Sequence, residues 1–269
     1  MDPDYSLTRT RLADLGLTGK DVAVHSSLRS FGRVEGGAET VVRALLDVCG
    51  TVLMPSFCSI GRTNAPHGDR PAQNAWDYSP SNPVSNPGRP FDPSAFGPAS
   101  DMDTADMGQV PLTLLRRRGT TRSQHPSVSW AANGPSAAHY TSDHVPDDPN
   151  LPLKRLSERG GYILLLGVGL EACTAGHLGE EMAGRRPFIR WVLYADGQVR
   201  RVREYGCSDG FGKLAEYVEP AAARTTIGQC EAVSYPVTPF VQTIAQTIRT
   251  TPATTANKVP LSLAAIQPP

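Results

Sequence analysis

The sequence predicts an α/β protein, and three neighbouring segments near its start support this class. Residues 21 to 28 (DVAVHSSL) form a short apolar run typical of a buried strand. After the turn FGRVEGG, residues 38 to 48 place aliphatic side chains at helical spacing. Residues 51 to 57 form a second strand that follows with little linker. A strand, a helix and a strand in this order predict a parallel, right-handed crossover.

Residues 58 to 107 break this pattern. They are rich in Pro, Asn, Ser and Gly, and they contain no helical or strand periodicity, although four aromatic residues are spaced among them: Trp76, Tyr78, Phe91 and Phe96. Because irregular loops of this length are uncommon inside compact domains, we expect a functional lid or binding loop here.

Regular structure is expected again in the second half of the chain. Helices are predicted around residues 110 to 118 and 153 to 158, with a strand or loop through RSQHPSVSWAANG between them. Residues 162 to 169 (YILLLGVG) are a continuous apolar run ended by glycines, which is typical of a buried central strand. A hairpin is expected around Ala195-Asp196-Gly197. Residues 251 to 269 lack a core-forming pattern and predict a peripheral or disordered tail, after a domain that spans residues 1 to 250.

Composition limits the classes of function. The chain carries 26 basic and 26 acidic residues, so it lacks the excess positive charge that nucleic-acid binding needs. No apolar run reaches the roughly 20 residues of a membrane span, and the first residues do not resemble a signal peptide. We therefore expect a cytoplasmic protein with neither nucleic acid nor a membrane as partner. The five cysteines are scattered, and no motif indicates a metal site.

Residues 206 to 210 (GCSDG) match the G-x-S-x-G nucleophile elbow of α/β-hydrolases around Ser208. A β-prone stretch precedes them and a helical pattern follows, as the elbow requires. In those hydrolases the acid and the histidine follow the serine along the chain, whereas the last histidine here is His177. A serine hydrolase is therefore the weaker interpretation of this turn.

His177 and Glu180 follow the predicted central strand. They are three residues apart and share one face of a predicted helix. Sites in open α/β sheets form at the carboxyl ends of strands, and a carboxylate beside an imidazole raises its basicity and fixes its tautomer. The pair therefore suits a general base, although a salt link on a helix surface would have the same spacing.

Two further segments carry groups suited to a polar ligand. Residues 24 to 37 (VHSSLRSFGRVEGG) offer a histidine, hydroxyls and glycines at the mouth of the first crossover, where backbone N–H groups can meet phosphate. The same residues could simply form a capped connection between a strand and a helix. The segment RSQHPSVSW contributes His125 and Ser129, unless His125 serves only to anchor a proline turn.

Taken in chain order, these segments resemble the aminoglycoside 3-N-acetyltransferases, also called antibiotic acetyltransferases. The resemblance runs from about residue 9 to residue 235, through LGLTGKDVAVHSSLRS, TVLMPSF, FDP, RSQHPSVSWAANGP, GGYILLLGVG and CTAGHLGE. Several motifs in the correct order are more specific than any one of them. The resemblance implies an acetyl-CoA-dependent transferase with a single three-layer α/β domain, in which a central mixed sheet carries helices on both faces.

The resemblance also implies roles for individual residues. His177 resembles the family's catalytic base, Glu180 its motif carboxylate and Thr174 a hydroxyl near the reacting thioester. Asp209 matches an acidic residue that orients the histidine, which makes Ser208 incidental. The segments that resemble the coenzyme A site contain His25, Ser26, Ser27, Leu28, Arg29, Phe31, Gly32, His125 and Ser129.

The implied reaction is a direct attack of an acceptor amine on the acetyl thioester, without a covalent intermediate. His177 would act as the general base, and backbone N–H groups or Thr174 would stabilise the oxyanion. The expected partners are acetyl-CoA and a small-molecule amine, and the expected oligomeric state is a monomer or a homodimer. Side chains expected to bind the acceptor are Trp76, Asp77, Asp92, Asp148 and Glu181.

Departures from the family pattern leave the acceptor open. Cys173, Gly176 and Gly179 stand where the family has Asn, Leu and Ala, and residues 58 to 107 are longer and less acidic than a polycation site suggests. The acceptor is therefore either an aminoglycoside or a different amine of a biosynthetic pathway. A non-catalytic coenzyme A-binding or scaffold protein is a further alternative, but it would not need His177 and Asp209.

Overall fold

A computed structural model of the protein describes residues 3–72, 74, 76–79 and 88–255. The strands in these residues are β1 (Val22–Ser26), β2 (Val52–Pro55), β3 (Arg62–Thr63), β4 (Thr121–Arg122), β5 (Trp130–Asn133), β6 (Tyr162–Leu166), β7 (Phe188–Leu193), β8 (Val199–Glu204), β9 (Ala223–Ile227) and β10 (Cys230–Pro236). The α-helices are α1 (Tyr5–Asp14), α2 (Gly37–Val48), α3 (Thr104–Met107), α4 (Gln109–Arg116), α5 (Ala137–Thr141), α6 (Leu151–Glu158), α7 (Ala175–Met182), α8 (Ala215–Val218) and α9 (Val237–Thr250).

The main sheet is mixed, with strand order β4-β5-β2-β1-β6-β10-β9. β1 pairs in parallel with both of its neighbours, so that Val22 lies opposite Val52 on β2 and Tyr162 on β6. The outer strands join this parallel centre by antiparallel pairing, β5 on one side and β10 on the other. The prediction of a central mixed sheet is confirmed.

Helices cover both faces of the sheet because its central strands are apolar on both sides. Successive side chains of β6 alternate between the faces. Ile163 and Leu165 enter one core with residues of α6, α7 and α9, while Leu164 and Leu166 enter a second core with residues of α1, α2 and α4. The prediction of a three-layer α/β fold is confirmed.

Most predicted elements lie close to their observed bounds. The first two strands are β1 and β2, the helix between them is α2, and the apolar run at residues 162 to 169 contains β6. α2 buries Val41, Val42 and Leu45 on one face, as their spacing predicts. The helical pattern after residue 210 is a 3₁₀ turn, Phe211–Leu214, followed by the short α8.

A small antiparallel sheet, in the order β3-β7-β8, lies beside the main one. The predicted hairpin is confirmed, since β7 pairs with β8 and Gly197 adopts a φ of 80° in the connection. Phe91 and Phe96 are buried against this sheet in a core of their own. These two aromatic residues of the predicted lid therefore support the fold. Parts of that segment, residues 73, 75 and 80 to 87, lie outside the described residues.

The C-terminal segment is packed further than the sequence predicts. Residues Pro252–Thr255 form a 3₁₀ turn, and Thr255 is buried. Part of the predicted peripheral tail therefore packs against the protein, because the turn contacts α9 and the 3₁₀ turn at Phe211–Leu214. Residues 256 to 269 lie outside the described residues. Among the helices that are described, none is long and apolar enough to cross a membrane.

Candidate active site

A cleft of about 420 Å³ lies at the carboxyl ends of β1, β2 and β6. Parallel strands bring their carboxyl ends to one edge of a sheet, where α/β proteins form their sites. The segment before β5 reaches the same edge, because Trp130 pairs with Pro55. The small sheet supplies the opposite wall through Arg62, Glu204 and Tyr205.

His177 lies in this cleft, on the first turns of α7. Its side chain is almost fully buried, and its Nδ1 atom lies 2.8 Å from Oε2 of Glu180. A carboxylate can only accept a hydrogen bond, so neutral His177 carries its proton on Nδ1. Nε2 is then left with a lone pair, which is the arrangement that a general base needs.

Two aromatic rings hold the imidazole from its sides. Tyr205 stacks on it with a centroid distance of 4.9 Å and an interplanar angle of 9°. Phe211 meets it at 4.8 Å and 55°. The Tyr205 hydroxyl donates a hydrogen bond of 2.6 Å to the carbonyl oxygen of Pro149, which fixes the stacking ring. The imidazole therefore has little freedom to rotate.

The same packing explains two departures from the family pattern. A Cβ atom on Gly176 would lie 2.2 Å from the Phe211 ring, and one on Gly179 would lie 2.4 Å from Cγ2 of Ile244. Side chains from outside α7 therefore occupy the space that a larger residue would need at these two positions. Cys173, the third departure, is buried and lines the cleft, and burial raises the pKa of its thiol to about 12.

Glu180 is the carboxylate that pairs with His177. Its other oxygen, Oε1, accepts a hydrogen bond of 2.7 Å from Arg185. Asp209, which the sequence suggested for orienting the histidine, is exposed, and its side chain is hydrogen-bonded to the Cys207 thiol. The structure thus joins His177 to Glu180, the residue on its own helix.

Ser208 does not stand in the geometry of a nucleophile elbow. Its hydroxyl donates a hydrogen bond of 2.6 Å to the carbonyl oxygen of Glu171, and the imidazole of His177 is engaged with Glu180. The glycine that ends the motif has a structural role, because a Cβ atom on Gly210 would lie 2.6 Å from the carbonyl oxygen of Thr255. The glycine at position 210 is therefore explained by close packing against the backbone of Thr255.

The residues suggested for coenzyme A divide into three groups. His25 and Ser26 line the cleft, and so does Thr174, which was suggested as the hydroxyl near the thioester. Burial lowers the pKa of His25 to about 4, so the ring is neutral at pH 7. Nε2 of His25 and Oγ of Ser26 are buried without a hydrogen-bond partner in the described part of the chain.

The second group lies behind or beside the cleft. Ser27 precedes a 3₁₀ turn, Leu28–Phe31, in which Phe31 is buried in the core and Arg29 is exposed. Gly32 ends the turn with a φ of 76°, a conformation that glycine adopts readily. These residues shape the connection between β1 and α2.

His125 and Ser129 form the third group, and they are fully buried and do not line the cleft. Nδ1 of His125 accepts hydrogen bonds from the backbone of Ser127 and Val128, at 3.2 and 3.0 Å. The Ser129 hydroxyl donates to the carbonyl oxygen of Ser56 at 2.7 Å. His125 is thus the anchor of a proline turn, and the turn presents Ser127 and Val128 to the cleft instead.

Two of the suggested acceptor carboxylates close local turns. Asp77 accepts hydrogen bonds from Ser79, and Asp92 from Ser94, each through the backbone N–H and the hydroxyl. Trp76 packs edge-on against Phe188 at 6.3 Å. In the described part of the chain, these side chains do not line the cleft.

The other two suggested carboxylates are neutralised by a lysine. Nζ of Lys154 lies 2.8 Å from Asp148 and 2.6 Å from Glu181. Asn150 donates a further hydrogen bond of 2.7 Å to Glu181. Because both charges already have a cationic partner outside the cleft lining, they are poorly placed to attract an amine.

The carboxylates that line the cleft were not predicted from the sequence, and they are Asp103, Asp106, Glu171 and Glu204. Glu204 is buried and paired with Arg62 and Arg190. Asp103 precedes the short α3, and its backbone N–H donates to the carbonyl oxygen of Phe57 at 2.8 Å, which draws it to the end of β2. The acidic residues of the segment DMDTADM, residues 101 to 107, were the sequence signal that could have indicated Asp103 and Asp106.

Comparison with known proteins identifies the family. The family model described as aminoglycoside 3-N-acetyltransferase matches residues 23–249. Aminoglycoside N(3)-acetyltransferase IX of Micromonospora chalcea is 37% identical over 242 residues, which cover 81% of this chain and 80% of that protein. Among solved structures, a variant of aminoglycoside acetyltransferase AAC(3)-IVa in complex with a gentamicin has a TM-score of 0.76 at 26% identity, covering 100% of this chain and 98% of the other. AAC-IIIb in a binary complex with CoASH has a TM-score of 0.74 at 25% identity, and the match covers 92% of this chain and 96% of the other.

The predictions of an acyltransferase and of acetyl-CoA as its co-substrate are confirmed by these matches. The chain belongs to the aminoglycoside 3-N-acetyltransferase family.

Proposed function

We propose that the protein acetylates the 3-amino group of an aminoglycoside with acetyl-CoA, and that His177 is the general base. The observation that carries this proposal is the imidazole in the cleft, with Nδ1 bound to Glu180 at 2.8 Å and its ring held by Tyr205. A base fixed in this tautomer is suited to taking a proton from an attacking amine through Nε2.

In the proposed reaction the amine nitrogen attacks the thioester carbon directly. The amine gives its proton to Nε2 of His177 as the new C–N bond forms, and Glu180 stabilises the resulting imidazolium. The C–S bond then breaks, and the imidazolium returns the proton to the departing thiolate. Thr174 and the neutral His25, which both line the cleft, are the side chains proposed to meet the thioester and its oxyanion.

The charge of the cleft favours an acceptor that carries several amines. Asp103, Asp106 and Glu171 line it, while the guanidinium of Arg62 is paired with the buried Glu204. Carboxylates that face a partly enclosed space attract ammonium groups more strongly than the same groups in open water. Relatives in the family are named for aminoglycosides, which agrees with this acceptor class.

The test of the base is the variant His177→Ala, assayed by thiol release from acetyl-CoA with an aminoglycoside such as gentamicin. We expect kcat to fall about a hundredfold to ten-thousandfold, which is the usual contribution of general base catalysis. Coenzyme A should still bind, with a free energy of roughly −8 kcal/mol by calorimetry. His139→Ala is the matched control, because His139 is exposed and does not line the cleft. Unchanged kcat in His177→Ala would refute the proposed role.

The test of the acceptor compares aminoglycosides with sugars that carry a single amine. We expect Asp103→Asn to raise KM for an aminoglycoside about tenfold, which corresponds to the loss of one charged hydrogen bond. Its effect on coenzyme A affinity should be small. Turnover of a single-amine sugar with a higher kcat/KM than any aminoglycoside would instead favour an acceptor of another biosynthetic class.

A further inference from the structure

The C-terminal turn Pro252–Thr255 is connected to His177 through a continuous set of hydrogen bonds. Glu180 binds His177 with one carboxylate oxygen and Arg185 with the other, at 2.8 and 2.7 Å. The second terminal nitrogen of Arg185 donates to the carbonyl oxygen of Pro252 at 2.7 Å. Arg185 thus bridges the carboxylate that holds the imidazole and a backbone atom of the turn.

The bridge is partly shielded from water, so water competes less for its hydrogen bonds. The side chains of Glu180 and Arg185 are 15% and 20% exposed. The backbone N–H of Arg185 also donates to the carbonyl oxygen of Glu180 at 3.0 Å, so the two residues are fixed to each other at the end of α7. A planar guanidinium that meets both a carboxylate and a carbonyl defines an orientation that a lysine would not define.

The turn itself is held against the body of the protein. Thr255 is buried, and its backbone lies so close to Gly210 that a Cβ atom there would be 2.6 Å from the Thr255 carbonyl oxygen. Its position therefore depends on a glycine in the GCSDG segment. The turn lies beyond residue 249, where the match to the family model ends.

We infer that Arg185 is a positioning residue for the catalytic histidine, and that the turn Pro252–Thr255 sets the position of Arg185. The inference rests on the proposed role of His177 as general base. If the contact between Arg185 and the turn is broken, the guanidinium loses one of the two acceptors that orient it. Glu180 can then rotate away from Nδ1 of His177. Small displacements of a catalytic group can cost about a hundredfold in rate.

The experiment is a double-mutant cycle in the full chain. Arg185→Met removes the bridge, and Gly210→Ala displaces the turn by its contact with Thr255. We expect each variant to lower kcat about tenfold to a hundredfold while KM for acetyl-CoA stays near the wild-type value. The double variant should lose no more than the worse single one, since both act through the same contact. Arg185→Lys should recover part of kcat, because an ammonium can still reach Glu180.

Arg186→Met is the matched control, since Arg186 is the exposed neighbour of Arg185. Melting temperatures measured for all variants distinguish a loss of folding from a loss of kcat. If Gly210→Ala does not fold, Arg185→Met still tests the inference. Wild-type kcat in Arg185→Met, wild-type kcat in a folded Gly210→Ala, or losses that multiply in the double variant would overturn the inference. Wild-type kcat in His177→Ala would instead overturn the proposed function.

Discussion

Acidification should destabilise this protein steeply, because three histidines are buried in neutral form. Burial lowers the pKa of His25 and of His144 to about 4, and it holds the pKa of His125 well below its usual value of 6.5. His125 and His144 lie side by side with ring centroids 4.8 Å apart, so a proton on one ring also disfavours a proton on the other.

The direction and size of the effect follow from proton linkage. A histidine whose pKa is lower in the folded state leaves the unfolded chain with more bound protons below pH 6.5. The contribution of these neutral histidines to the free energy of unfolding is therefore fully present above pH 6.5. It is lost as the pH falls toward their pKa in the folded state. At pH 5.0 His25 and His144 should each cost about 2 kcal/mol, which gives about 4 kcal/mol for the two, and His125 acts in the same direction. This loss is comparable with the lower end of the stability of many domains, about 5 to 15 kcal/mol.

The assay is urea unfolding at pH 7.5 and at pH 5.0, followed by tryptophan fluorescence. His144→Gln tests the assignment, because an amide can replace the contacts of His144 with Ser123 and with the Pro149 carbonyl but does not titrate. We expect it to reduce the difference between the two pH values by about 2 kcal/mol. The matched control is His67→Gln, since His67 is exposed and solvated in both states. Equal free energies of unfolding at the two pH values, or an unchanged difference in His144→Gln, would refute this reasoning.

Three further predictions concern packing and the GCSDG turn. Gly179→Ala should lower the melting temperature, because overpacking against Ile244 costs about 1 to 3 kcal/mol, whereas the higher helix propensity of alanine stabilises by only about 1 kcal/mol. A higher melting temperature would contradict the packing. Arg122→Met should raise KM for the acceptor and speed proteolysis near residue 100, because the buried guanidinium binds the carbonyl oxygens of Ser100 and Asp101 at 2.8 and 3.0 Å; wild-type behaviour in both assays would show that the anchor is dispensable. Ser208→Ala should keep kcat close to that of the wild type, and a folded but inactive variant would restore the hydrolase interpretation.

The order of elements was predictable from the sequence because it depends on periodicity along the chain. Aliphatic spacing in α2 and the apolar run of β6 indicate a helix and a buried strand before any contact is known. α1, α9, β9 and β10 were not predicted. In α1 only Thr8 and Leu12 are buried, which is too few residues to form a readable pattern.

The pairing of His177 with Glu180 could also be predicted, since two residues three apart on a helix are neighbours whatever surrounds them. Residue types in chain order were enough to identify the family. These features are local, or they are spread along the sequence in a fixed order, and neither kind requires knowledge of the tertiary contacts.

Only the tertiary structure decided which polar residues reach the cleft. His125 stands in a motif segment but is enclosed, Asp148 and Glu181 are neutralised by Lys154, and Asp103 is drawn to the end of β2 by a backbone contact with Phe57. Each outcome depends on a partner that the sequence pattern does not specify. A carboxylate or an imidazole has the same letter in the sequence whether it faces a ligand or a neighbouring side chain, and the difference arises from burial and charge pairing in the folded chain.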